Sequence, residues 1–311
     1  MILSLRKRAE RAHRNDRVFL GIVYGSAGTF VLLILALLVQ LILGSWQSIR
    51  TFGFAFLWTS QWNPVTSQFG ALPLIFGTVV SSFIAILLAG IVGILAAAFL
   101  SDFAPREIAR PLSFIIELLA AVPSVVYGLW GLFVLAPLMR VAIGPFLQHV
   151  LGWSPLFSGP IYGVGLLTAG IILALMILPT VTAISRDVIA AIPQDLREAS
   201  MALGATKWET MRRVVLPAAK TGIFGALILA LGRAVGETIA ATMVIGNRPE
   251  IAASLFAPSY TLASVIANEF TEATTDVYLS ALLELGLLLF IVSFIINALA
   301  RLMMWTVFRG R

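Results

Sequence analysis

The sequence has no cysteine and little charge. Of its 311 residues 12% are charged, against 59% hydrophobic, with a mean hydropathy of +0.99. Without cysteine there are no disulfides, thiolate metal sites or cysteine nucleophile. The shortage of charge excludes a soluble enzyme, because a soluble domain carries about 25% charged residues and needs them to cover its surface. The two histidines, His13 and His149, stand far apart without metal-ligand spacing and read as surface residues. A phosphate-cradling Gly-x-x-x-x-Gly-Lys-Ser/Thr loop is also missing: in the Lys-Thr pair, Lys220-Thr221, the residue before the lysine is Ala219 where glycine is needed. No cofactor is expected.

What the sequence has in place of charge is long apolar runs. About 20 apolar residues are needed to cross a bilayer core, and six runs qualify: Phe19–Leu43, Leu72–Leu100, Leu112–Leu138, Ile161–Ile184, Gly222–Ile245 and Tyr278–Val307. The first is too long for a signal peptide and lacks a cleavage site, so it is read as a retained helix. Pro123 within the third run is expected to kink it by removing a backbone donor. The fold class is therefore an all-α membrane protein with six transmembrane helices. It divides into a basic cytoplasmic segment 1–18, a first helix and outer loop 19–70, a transmembrane domain 71–305 containing a cytoplasmic loop 186–221, and a tail 306–311.

The net charge of +6 might suggest a nucleic-acid partner, but its distribution does not. With the N-terminus inside, seventeen Lys and Arg lie on cytoplasmic segments, leaving Arg50, Arg140 and Arg248 outside. That asymmetry is the positive-inside rule, and it predicts both termini in the cytoplasm. Anionic lipid headgroups are the expected contact of these charges, and no nucleic acid is implied. Outside, Gly44–Gly70 is rich in Trp and Phe, as an interfacial belt would be. Thr261–Phe270 has the spacing of a short amphipathic helix, either a lid on the bundle or part of a surface for an external partner.

The loop between the fourth and fifth runs has its own design. Pro193 can open a helix, Gly204 can stop it in a left-handed turn, and Thr206 with Glu209 has the spacing of a capping box that opens a second. Pro217 is expected to limit that second helix. Ala199, Ala202 and Ala205 keep the pair slim, while Lys207, Arg212 and Arg213 ring it with charge. Such a knob suits a groove on a partner protein.

Two charges lie within the fifth run. Arg233 is expected near the midplane, with Glu237 one turn further on the same face, and Gly232 and Gly236 at the spacing that lets helices pack closely. Ionised groups at that depth are expensive and usually paired or functional. Two readings stand: a structural ion pair, or a guanidinium offered to an anion in transit, whose oxygens its donor fork matches. Glu117 is expected to pair with Arg110 or Arg186, and Glu284, in the outer part of the sixth run, is read as structural.

The stretch Glu198-Ala199-Ser200, three residues, Gly204, nine residues, Val214-Val215-Leu216-Pro217 resembles the "EAA" loop of bacterial ABC importer permeases. Ser200 and Val214 replace the usual Ala and Ile. The runs Val122–Gly131, Ile177–Val188 and Leu231–Asn247 are similar to phosphate importer permeases of the PstC type, so the likeness covers most of residues 70–305. It implies the type I, MetI-like architecture and a multi-pass protein of the bacterial inner membrane. It also implies a heterodimer with a related permease, two ATP-binding subunits and an extracytoplasmic phosphate-binding protein. The implied coupling residues are Glu198, Ala199, Gly204, Lys207, Arg212 and Pro217, and Arg233 and Glu237 are implied in phosphate translocation by alternating access. Permeases for sulfate, molybdate and phosphonate share the loop, so it leaves the cargo open. A secondary transporter using Arg233, Glu237 and Glu284 as a relay is the alternative from another class.

Overall fold

The computed structural model describes residues 2–308, with the side chains of Asp16, 19–302, 304 and 305. His13, Arg309 and Arg311, and the basic side chains before position 19, lie outside what it describes. Among the described residues there is no strand, only two isolated β-bridges.

Among the described residues six helices are long and apolar enough to cross a membrane: Phe19–Gly44, Leu72–Phe103, Ser124–Leu151, Leu166–Ala190, Lys207–Val235 and Asp276–Leu302. These are spans one to six below. Span four is the centre of the bundle. Two thirds of its most apolar stretch is buried, with Ile172, Met176, Ile177 and Val181 fully enclosed. Span two packs along it through the small residues Ala85, Ala89 and Ala97, and span five adds Ala230 and Ala234. Small side chains let the backbones approach, which is how helices associate where lipid removes the hydrophobic drive. Span one is peripheral, with no buried residue in its apolar stretch, and meets span six where Gly44 touches Leu283.

The third span departs from the hydropathy reading. The apolar run from Leu112 is broken at Ala121-Val122, and a separate helix, Arg106–Ala120, precedes the span. That helix puts Arg106, Arg110, Ser113 and Glu117 on one face and Ile108, Leu112, Ile115 and Leu119 on the other, and buries none of them. Pro123 does not kink the span. It stands before its first turn with extended backbone (φ −59°, ψ 140°), where its missing N–H is harmless and the residue ahead is pushed out of the helix. Arg140, expected in an outer loop, lies in a wide π-helical turn of span three, Met139–Ile143. His149 is exposed in the closing helix Gly144–Leu151.

The fifth span is also shifted. Its helix starts at Lys207, within the loop that follows span four, and ends at Val235. Pro217 does not stop it. A π-helical turn, Met211–Val215, comes just before the proline, and the wider turn accommodates the lost donor and the ring that would clash in a regular helix. Beyond Val235 the chain breaks over Gly236–Thr238 and resumes as a short helix, Ile239–Val244. Gly128 of span three lets this short helix approach: a Cβ there would lie 3.1 Å from the Ala240 Cα and 2.6 Å from the Met243 sulfur. The close glycine contact expected at Gly232 and Gly236 is not found within this chain, since a Cβ at Gly232 would meet the Asn297 amide no nearer than 3.8 Å.

The amphipathic helix is present as Leu262–Glu269. The Thr261 hydroxyl accepts from the Ser264 N–H, and Leu262 and Val265 are fully buried. Its first N–H donates to Thr78 of span two at 2.9 Å, so the helix lies on the bundle. Glu269 gathers the outer loops: one carboxylate oxygen accepts from the Trp62 indole at 2.8 Å and the Tyr278 hydroxyl at 2.6 Å. Phe69 stacks on Tyr278 at 5.2 Å. Burial holds the nearby Tyr260 phenol above its ordinary range, offset in part by the hydrogen bond from Asn268. The Trp- and Phe-rich loop therefore splits, with Phe56, Trp62 and Phe69 in a core and Trp46, Phe54 and Trp58 exposed.

Candidate functional site

Two sites were expected. In the loop between spans four and five, Pro193 precedes the helix Gln194–Ala202. Gly204 then takes φ +90°, a conformation that L side chains resist. The capping box is complete: the Thr206 Oγ1 accepts from the Glu209 N–H, and the Glu209 carboxylate accepts from the Thr206 N–H at 2.9 Å. Ser200 and Thr210 join their hydroxyls at 3.0 Å across the two helices. The result is a helix–turn–helix knob. Glu198, Ala199, Gly204, Lys207, Arg212 and Pro217 are all exposed on it.

The knob's first helix buries no residue. Its firm attachment is Arg197, only 12% exposed. Its guanidinium donates to the Asp102 carboxylate, at the C-terminal end of span two, and to the Ile189 carbonyl of span four at 2.6 Å. Neither Asp102 nor Arg197 stood out in the sequence. The signal available was a lone acid closing a long apolar run, with an arginine directly before the Glu-Ala-Ser stretch.

The second site lies deep in the bundle. Arg233, in the last turn of the span-five helix, donates to the Thr180 hydroxyl of span four at 3.4 Å. Thr180 lies 14 residues after Leu166 and 10 before Ala190. At roughly 1.5 Å per residue it sits about 15 Å from the Ala190 end, near the middle of the span. Arg233 is exposed at that depth, and no carboxylate among the described residues forms an ion pair with it. The expected pairing with Glu237 on one helix face is not found, because the helix ends between them. Glu237 instead accepts from the Ala240 N–H at 3.1 Å, closing the start of the short helix. Pro179, next to Thr180, lines a cavity of about 460 Å³ with Val126, Tyr127, Trp130 and Leu178. The site is an exposed guanidinium beside the Thr180 hydroxyl and, past the helix break, a carboxylate closing a helix start.

Two further carboxylates were expected within the spans. Glu117 pairs with Arg186 at 3.0 Å, one of its two expected partners, from the helix ahead of span three, not from within the span. Arg186 also holds Asp187 at 2.9 Å. Glu284 lines a cavity under the outer helices with Gly53, Phe54 and Leu57.

Residues 89–304 match the family model described as the binding-protein-dependent transport system inner membrane component. A phosphate transport system permease protein PstC from Mesorhizobium japonicum is 48% identical over 293 residues, spanning 93% of this chain and 90% of that protein. The PstC of Pasteurella multocida is 47% identical over 276 residues, spanning 88% and 86%. Among solved structures, a bacterial alginate ABC transporter aligns with a TM-score of 0.63 at 15% identity, over 92% of this chain and 94% of that one. The inward-facing MetNI methionine ABC transporter aligns with a TM-score of 0.51 at 20% identity, over 73% and 93%. These structural likenesses show a shared fold. The chain belongs to the binding-protein-dependent transport system inner membrane component family, among its PstC permeases, and is a multi-pass protein of the inner membrane.

Proposed function

We propose that this chain forms half of the membrane pathway of an ATP-driven phosphate importer. A second, related permease completes the pathway, two ATP-binding subunits drive it, and an extracytoplasmic phosphate-binding protein delivers the anion. Both termini face the cytoplasm, following the distribution of lysine and arginine. The chain is a transport subunit, and ATP is hydrolysed on a partner.

The observation that carries the reading is the placement of Arg233. A permanently charged fork stands exposed near mid-membrane, held by a neutral hydroxyl, with no ion pair from a described carboxylate. Such a charge is costly in lipid and is compensated when it lines a wet path and meets a mobile anion. Glu237 shapes the same spot by fixing the start of the helix Ile239–Val244. The knob around Glu198, Ala199, Gly204, Lys207, Arg212 and Pro217 seats in the ATPase and carries its closure to the bundle. That movement alternates the pathway between outward-open and inward-open forms.

Uptake of labelled phosphate in cells with and without this chain tests the proposal, with sulfate and molybdate as competitors. Arg233→Gln is expected to abolish uptake while the complex still assembles. Normal uptake by that variant at normal expression overturns the role of Arg233. Stronger competition by sulfate or molybdate than by phosphate overturns the cargo.

A further inference from the structure

The knob's first helix, Gln194–Ala202, lies between two breaks: the turn at Ala191–Pro193 and the left-handed turn at Gly204. It has no buried apolar face, so packing does not fix its angle to the membrane. The second knob helix needs no such fixing, because it runs unbroken into span five. A partner pushing on the first helix would swivel it about its two ends unless something tied it down.

Ser200 meets Thr210 of the second knob helix at 3.0 Å, and Arg197 ties the first helix to the spans. Its side chain reaches back from the knob, is nearly buried, and holds two different spans at once: the Asp102 carboxylate where span two ends in a π-helical turn, and the Ile189 carbonyl one residue before span four ends. Asp102 is itself only 21% exposed. The pair lines a cleft of about 180 Å³ with Gln194, Met201 and Lys207. A guanidinium with a carboxylate on one arm and a carbonyl on the other fixes direction as well as distance.

We infer that Arg197 and Asp102 are positioning residues forming a second transmission joint, which makes spans two and four follow the first knob helix when the ATPase closes. With the joint intact, the knob moves spans two, four and five together. With it broken, only span five follows, and ATP is consumed without a full change of access. This rests on the importer reading given above.

The test uses the whole complex in proteoliposomes with its binding protein, measuring ATP hydrolysed and phosphate imported in the same sample. Asp102→Asn is expected to leave assembly intact and raise the ATP used per phosphate by roughly three- to tenfold, within the range that changes along a coupling network produce. The exchanged pair Asp102→Arg with Arg197→Asp is expected to lower that ratio towards the original. A wild-type ratio in Asp102→Asn overturns the joint. So does equal loss of assembly in the single and exchanged variants, which would make the pair structural only. Failure of the importer reading is distinct, since the unmodified complex would then show no ATP-dependent phosphate uptake at all.

Discussion

Arg233 donates to the hydroxyl of Thr180 on the neighbouring span, not to Glu237 four residues along its own chain. The helix stops at Val235, so the two charges never share a face. This turns one expected ion pair into two separable jobs, an anchored guanidinium and a helix start, and the two can be tested apart.

Thr180→Val removes the acceptor and keeps the shape. The bond is long, so the loss is about 1 kcal/mol at most, or up to about fivefold in the KM for phosphate. Thr180→Ser is expected to match the parent. Uptake kinetics at several phosphate concentrations check this, and an unchanged KM in the valine variant means that Thr180 does not orient the guanidinium.

Glu237→Gln keeps an oxygen able to accept from the Ala240 N–H, so its stability is expected within about 0.5 kcal/mol of the parent, while Glu237→Ala loses about 1 kcal/mol. Thermal unfolding of the purified complex measures both. If the glutamine variant is stable yet fails to transport, the negative charge has a role beyond the helix start.

Gly204→Ala is expected to cost about 1 kcal/mol locally, because alanine resists a φ of +90°. There is open space for a methyl group, so any effect comes from the backbone. Membrane insertion should be normal and retention of the ATPase during copurification reduced. Full retention would show that the knob tolerates a different turn.

Gly128→Val drives side-chain atoms into Ala240 and Met243 and is expected to destabilise by about 1–3 kcal/mol. Gly25→Ala, on the peripheral first span with open space around it, should change nothing. Melting temperatures of the two variants side by side give the comparison.

On the outer side, Glu269→Ala leaves the Trp62 indole and the Tyr278 hydroxyl without their shared acceptor, with an expected loss of about 2–3 kcal/mol. Trp62→Phe alone should lose about half of that. A double variant no worse than Glu269→Ala confirms that the two act through one network.

Much of this was legible in the sequence. Hydropathy located all six crossings, because lipid solvates only long apolar helices. The capping box and the turn at Gly204 were legible too, because they depend on neighbours in the chain. What hydropathy missed is where an apolar run stops being one helix. Residues 112–138 read as continuous, yet Pro123 forces a new start, and the polar face through Arg110 and Glu117 belongs to a different helix. Pro217 failed as a stop signal because the π-helical turn before it absorbs the missing donor. The contacts of Arg197 with Asp102 and of Arg233 with Thr180 join residues far apart in sequence, and no local pattern reports them.

The passage of the helix through Pro217 has a mechanical consequence. From Lys207 to Val235 the chain is a single rod of 29 residues, roughly 40 Å long, with its foot in the capping box and its tip at Arg233. A tilt imposed at the foot passes through the π-helical turn Met211–Val215 and along the helix to the tip. The helix then breaks at Gly236–Thr238, directly beyond the guanidinium. The lever thus ends where the anion is proposed to pass.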